Sequence, residues 1–431
     1  MTSIAPPPAP ASQADRLVCS DAARDFSRRW FEELRRRVIT ERQPYVLSNA
    51  EMPHEIFDTL GLPVVTAEWW SGVLSAKRRA GAYLDWLNEH GYHPGLGAYN
   101  SLGLMSLIAE VDDPPWGGLP PPALLCAPHR EQSAERVNRL VAQRFGIPYA
   151  GIEMPAATRF YPRWWEMARS DWEDLYDSHR IDVVAAQYRD MVGLAEGIAG
   201  KRLDIDALRV HLHRVNVQES HLDAIRELIA TAPKCPVGIA EQMSNTMTAQ
   251  WHRGSDWAVE HCRQFRAEVE HRVRTGVAVV PEERVRLMWI GVGLWQNTAF
   301  YRAFEASHGA VFVWSMYLAL AADGYIKHHL RDPLRALAAR YLNLGEQAHA
   351  APWAGTWMVH EARRHRVQGA VMLASTRQRH QLAGNVFQKM DLEAAGIPVL
   401  EIQVDPNDNR DWDESLMQAT VASFIEERVL K

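Results

Sequence analysis

The chain has 431 residues, enough for two or three domains with sizeable cores, and its composition of 47% apolar and 23% charged residues is that of a globular protein. A net charge of -6 leaves no basic footprint for nucleic acid. No apolar run reaches the roughly 18 residues that a membrane helix needs.

The opening segment, MTSIAPPPAPASQAD, lacks the basic and apolar regions of a signal peptide and reads as a disordered Pro/Ala-rich leader over residues 1–20, so a cytoplasmic location is expected. An N-terminal α/β domain over 21–158 follows. It begins with a charged helix from Asp21 to Thr40 and a short strand from Tyr45 to Ser48. Pro53 opens the next helix, with the Glu55 carboxylate in its first turn, and that helix ends at Gly61 before a strand from Pro63 to Thr66. Helices are expected over Trp69–Gly91 and Leu102–Val111, then a Pro/Gly connector from Pro114 to Pro122. A buried strand (Ala123–Ala127), a helix (Glu131–Phe145) and a strand (Tyr149–Met154) complete the domain, the last introduced by Gly146-Ile147-Pro148. Alternating strands and helices at this spacing predict a parallel, doubly wound sheet.

A helical segment over 159–282 comes next, with one helix opened by Leu203-Asp204-Ile205-Asp206 and running through Leu228, and another from Trp257 to Arg274. A second α/β domain, 283–431, is read from apolar runs at Val285–Trp295 and Ala310–Trp314. Helices are expected around Phe300–Ser307, at Pro333–Leu342 and at Trp353–Arg366, with a last one at Glu414–Val429. Within this domain Val367 to Pro406 forms a β-loop-α-β unit. Its apolar run Ala370–Leu373 ends in the polar loop Ser375–Gln381, and a helical stretch leads through Gly396-Ile397-Pro398 into Val399–Val404. The two Gly-Ile-Pro junctions fall at corresponding places, which suggests two similar domains. The fold class expected is α/β, with two Rossmann-like (flavodoxin-like) parallel-sheet domains and a helical segment between them.

Ligands of open parallel sheets bind beyond the carboxyl ends of the strands, so the loop carrying Arg377, Gln378, Arg379 and His380 is a candidate site. Cys19, Cys126, Cys235 and Cys262 are scattered without metal-ligand spacing, which argues against a disulfide framework or a zinc ribbon. His129, His328, His329, His349, His360 and His365 match no recognised ligand set and are assigned to surface or interdomain positions. Most of the sixteen tryptophans are expected in the core, with several available to line an aromatic pocket.

The order of these elements resembles the 2-hydroxyacyl-CoA dehydratase and benzoyl-CoA reductase family. Phe265 to Trp295, with Arg266-x-Glu268-Val269-Glu270 and Pro281-Glu282-Glu283-Arg284-Val285-Arg286-Leu287, is similar to the B-type subunit of benzoyl-CoA reductases. So is Ala374 to Asp405, with Ala383-Gly384 and Val404-Asp405. The resemblance implies a coenzyme A thioester as substrate and a [4Fe-4S] cluster held between the domains by cysteines. It also implies a related partner subunit, in a heterodimer or a homodimer, and an ATP-dependent electron-donating activator.

The cluster cysteines are not matched. Gln378 stands at the last position, Arg130 at or beside the middle one, Gly95 or Gly97 near the first, and Cys126 lies about four residues before its expected place. A weak hard donor, a cation and a residue without a side chain cannot replace three thiolates. The pocket is expected to persist without the cluster, bounded by Ser48 to Glu55, Gly97 to Asn100, the Arg130 loop and Arg377 to His380. His380, Glu55 and Ser48 are the candidate catalytic groups. Asn49, Tyr99, Asn100, Arg130, Arg377, Gln378 and Arg379 are the candidate substrate-binding groups, the arginines suited to a phosphate, a carboxylate or a thioester oxygen. A structural alternative stays open beside each: Ser48 and Asn49 as caps of the following helix, Glu55 serving its N-terminus, and Arg377, Arg379 and His380 as a solvated loop. At the level of function, a subunit acting on an acyl-CoA stands beside a non-catalytic structural subunit and a stand-alone acyl-CoA enzyme that uses polar acid/base chemistry.

Overall fold

The computed structural model describes residues 16–92, 98–130, 132–322, 325, 331–375 and 379–431. Most of the expected leader, with Gly95, Gly97, Arg377 and Gln378, lies outside them. The chain enters through helix α1 (Val18–Glu41), then strand β1 (Val46–Ser48), helix α2 (His54–Thr59) and strand β2 (Val64–Thr66). Helices α3 (Ala67–Ala76), α4 (Ala80–Glu89) and α5 (Ala98–Met105) lead to strand β3 (Leu124–His129), helix α6 (Gln132–Phe145) and strand β4 (Tyr149–Glu153). The helical stretch expected over Trp69–Gly91 is therefore two helices. Arg78 turns the chain into the left-handed region (φ +54°) and ends the ladder of α3, in a Lys-Arg-Arg sequence that carries no glycine or proline to announce the break. The helix expected over Leu102–Val111 is likewise found earlier, as α5.

Between β4 and β5 the described elements are all helical. Single turns α7 (Trp164–Met167) and α8 (Trp172–Leu175) precede the long helices α9 (Ser178–Ala199), α10 (Ile205–Thr231), α11 (Ile239–Trp251) and α12 (Asp256–Thr275). The caps fit the sequence: the Asp204 carboxylate accepts from the amides of Asp206 and Ala207, and the Ser255 hydroxyl from that of Ala258.

Strand β5 (Val285–Ile290) begins the second sheet and is followed by α13 (Glu305–His308), β6 (Ala310–Ser315) and α14 (Met316–Ala322). Helices α15 (Pro333–His349) and α16 (Ala351–Arg364) precede β7 (Gly369–Ala374), α17 (Arg379–Ala394), β8 (Val399–Gln403) and α18 (Glu414–Phe424). The apolar run from Val285 extends as strand only to Ile290, because Gly291 takes φ +114° and turns the chain out of the sheet. The helix expected around Phe300–Ser307 is a 3-10 turn (Thr298–Arg302) followed by the single turn α13.

All strand pairs are parallel, and both sheets have the same layout, β2-β1-β3-β4 and β6-β5-β7-β8. The expected fold class is what the chain adopts. Strands β5, β6 and β7 are buried at every position, as sheets covered by helices on both faces require, whereas β4 and β8, last in their sheets, are only partly buried. The two Gly-Ile-Pro junctions are structural equivalents. Gly146 (φ +64°) and Gly396 (φ +83°) end α6 and α17, Ile147 and Ile397 donate back to Ala142 and Leu392, and the Pro148 and Pro398 carbonyls start the β3–β4 and β7–β8 ladders. No helix among the described residues is long and apolar enough to cross a membrane.

Candidate functional site

In each sheet the strand order reverses beside the first strand, between β1 and β3 and between β5 and β7, where a parallel sheet opens a crevice at its carboxyl end. These two crevices meet in a cavity of about 440 Å³. The N-terminal half contributes Asn49 and Glu51 after β1, Pro128 and Arg130 at the end of β3, Glu68 of α3 and Tyr99 of α5. The opposite wall is Ile290, Gly291 and Val292 after β5, Leu373 of β7, Tyr317 of α14, and Asn385 and Gln388 of α17. Helix α11 adds Met247, Gln250 and Trp251, and α15 adds Arg340, Tyr341, Leu344 and His349.

Two ionic clusters flank this apolar space. The inner one is centred on Arg253, whose Nε donates to Glu55 at 2.7 Å and whose Nη2 donates to the Met52 carbonyl at 2.6 Å and to the Tyr341 hydroxyl. Beside it Arg340 pairs with Glu219 at 2.7 Å; these four charged side chains are at most 4% exposed. Burial pushes the Glu55 carboxyl up, but Arg253 and then Arg340 outweigh it and hold it at about 2.

The outer cluster is built on the loop after β1. Glu68 fixes that loop by accepting from the Ala50 amide at 3.0 Å and from the Asn49 side chain, and Asn49 in turn accepts from the Glu51 amide at 2.8 Å. Glu51 so placed pairs with Arg130 at 2.6 Å and faces the Nε2 of His349 at 3.4 Å. Arg130 donates to the Tyr341 carbonyl at 2.6 Å and lies flat on Gly345, where any Cβ would stand 1.7 Å from its guanidinium. Burial again pushes the Glu51 carboxyl up, and Arg130 and His349 bring it down to about 2. Across the cavity the Tyr99 and Tyr317 hydroxyls are 2.7 Å apart, and burial keeps both phenols protonated as donors.

Of the residues singled out from sequence, Asn49, Tyr99 and Arg130 come together on the cavity wall. Ser48 and Glu55 stand behind it: the Ser48 hydroxyl bonds the Asn49 carbonyl at 3.1 Å, and Glu55 is spent on Arg253. Neither caps α2, which has no side-chain cap. Arg379 and His380 open α17, but their side chains, like that of Asn100, lie outside the description, as do Arg377 and Gln378 entirely. Sequence reasoning passes over Arg253, Arg340, Tyr341 and Tyr317, and takes in Glu51 only within the Ser48 to Glu55 stretch that bounds the pocket. His349, expected at a surface or interdomain position, lies between the two halves on the cavity wall.

The four cysteines, the whole complement of the chain, are buried and free on separate elements, and none lines the cavity. Cys126 lies within β3, and the Cys235 thiol donates to the Val237 carbonyl at 3.2 Å. Burial pushes all four thiols up, away from the thiolate that iron requires. No group of three or more His, Cys, Asp or Glu among the described residues could hold a metal ion. The residues present do not fit a [4Fe-4S] cluster in this cavity.

Fold and site define a protein of two doubly wound parallel sheets whose switch points face one shared cavity. Within that class, the family model for the 2-hydroxyglutaryl-CoA dehydratase D-component matches residues 49–427, and the chain belongs to this family. It is also similar to the B-type subunit of the benzoyl-CoA reductase of Thauera aromatica, 29% identical over 170 residues that make up 36% of this chain. The matched stretch spans 39% of that relative's length.

Proposed function

We propose that the chain is an acyl-CoA-acting subunit of the 2-hydroxyacyl-CoA dehydratase and benzoyl-CoA reductase type, without a [4Fe-4S] cluster of its own and paired in the cytoplasm with a related subunit. The observation that carries the reading is the cavity: an apolar space at both switch points, with Arg130 and the one hydroxyl proton that the Tyr99–Tyr317 pair leaves over for a thioester oxygen, while every thiol of the chain lies off its wall. Domain limits near residues 158 and 282 belong to the same reading, since the cavity draws on both halves. So does a partner: Val386, Phe387 and Met390 form one face of α17, and each is more than half exposed although the same helix lines the cavity through Asn385 and Gln388.

Anaerobic purification with iron and sulfide analysis, followed by calorimetry against aliphatic and aromatic CoA thioesters, tests it. Binding of a thioester by colourless protein with only trace iron is the expected result. Iron and sulfide at cluster stoichiometry overturn the cluster-free assignment, and failure to bind any thioester overturns the substrate class.

A further inference from the structure

A cavity without thiolates still has to act on its ligand, and the outer cluster offers a means that needs no electron. His349 ends α15 on the cavity wall with its side chain 30% exposed, the most accessible ionisable group of that cluster. Glu51 faces it at 3.4 Å and is itself immobilised twice over, by Arg130 at 2.6 Å and by the loop that Glu68 holds. The imidazole faces Glu51 from the loop after β1, which Arg130 at the end of β3 holds in turn, and on the histidine's own helix the Glu346 carboxylate is taken up by Arg180. The residue that orients the histidine is thus a carboxylate anchored outside the helix that bears it. A carboxylate fixed from outside the helix holds the imidazole in one orientation on the cavity wall, as a proton-transfer group requires.

We propose that His349, oriented by Glu51, is the acid–base residue of this cavity and exchanges the proton on the carbon next to a bound thioester carbonyl. In the step, that C–H bond breaks, its proton passes to the imidazole, and the electron pair enters the thioester as an enolate beside the Arg130 guanidinium. The reverse step returns a proton equilibrated with solvent, so nothing is oxidised or reduced. The inference rests on the thioester reading given under Proposed function. Glu51 is a positioning residue in it, and His349 the group that meets substrate.

The test uses the full chain in deuterium oxide with butyryl-CoA and phenylacetyl-CoA, following deuterium uptake by NMR and binding by calorimetry in parallel. Exchange faster than in buffer is expected. His349→Gln should slow it about 100-fold or more while the Kd stays within about threefold. Glu51→Gln should slow exchange about tenfold while the Kd stays within about threefold, and Glu51→Asp should restore part of the rate, because the imidazole loses and then regains the carboxylate that orients it. Binding without exchange, exchange indifferent to His349→Gln, or exchange as fast in Glu51→Gln as in the unaltered chain each overturns the proposal and leaves the thioester reading standing. No binding of either thioester overturns both. If His349→Gln does not fold, the exchange rates of Glu51→Gln and Glu51→Asp decide.

Discussion

Two Arg–Glu pairs lie side by side in this molecule in different surroundings. Arg253–Glu55 is almost dry, 4% and 0% exposed although Arg253 reaches the cavity wall, and it is held by two main-chain carbonyls, a phenol and a neighbouring ion pair. Arg130–Glu51 opens to the cavity, 18% and 27% exposed, and keeps a histidine at its edge. The same two side chains stand at nearly the same distance, 2.7 Å in the inner pair and 2.6 Å in the outer one, and under the proposed reading only the outer pair is left open to a ligand. What separates them is solvent access, which sets both the cost of breaking a pair and its freedom to meet a substrate.

The sharpest way to break the comparison is to strip the guanidinium from each pair. Arg253→Met leaves Glu55 charged and dry, and should lower unfolding free energy by about 3–5 kcal/mol in urea titration. Replacing both, Glu55→Met with Arg253→Met, should recover most of that loss, since the cost lies in the orphaned charge. Arg130→Met should cost much less stability, at most about 1 kcal/mol at this partly exposed site, and should instead weaken thioester binding about tenfold. A loss of stability as large as that of Arg253→Met would remove the distinction. Gly345→Ala sharpens it further. A Cβ there would meet the Arg130 guanidinium at 1.7 Å and drive it off its seat, so binding should fall as in Arg130→Met while the inner pair is untouched.

How far the sequence discloses these regions depends on which physical signal each leaves. The sheets are legible because strands buried on both faces are written as apolar runs, and both Gly-Ile-Pro junctions mark the entry to a fourth strand. Asn49, Tyr99 and Arg130 are reachable because they sit at strand ends or open a helix beside them. Helix α11 is not. Its buried face carries Asn245, Thr246, Thr248 and Gln250, with Asn245 bonded to Ser20 and the Ala249 carbonyl to Gln218, so the apolar periodicity that reveals a helix is diluted. Arg253 follows it in a turn, where its sequence neighbours give no hint that Glu55, 198 residues away, is its partner. The position of Glu55 in a first helical turn suggests a local role at that N-terminus; its own amide does bond the carboxylate, and the long-range partner Arg253 is added to it.

Acid distinguishes the two pairs least, and for that reason measures what they share. Glu51 and Glu55 are both held at about 2, well below an ordinary carboxyl near 4.5. A depressed carboxyl contributes its stability in full above the unfolded value and loses it as the pH falls through the folded one. Both contributions should therefore be complete at neutral pH, decline from about pH 4.5 and be gone below about 2. Glu55→Gln should flatten that part of a stability–pH curve, and Glu51→Gln should flatten it less, because solvent already screens the outer carboxylate. Equal flattening by the two variants would mean that the cavity shields Glu51 as fully as the core shields Glu55. The outer pair would then have to be counted with the scaffold, and His349 would lose the solvent-linked carboxylate that sets it apart.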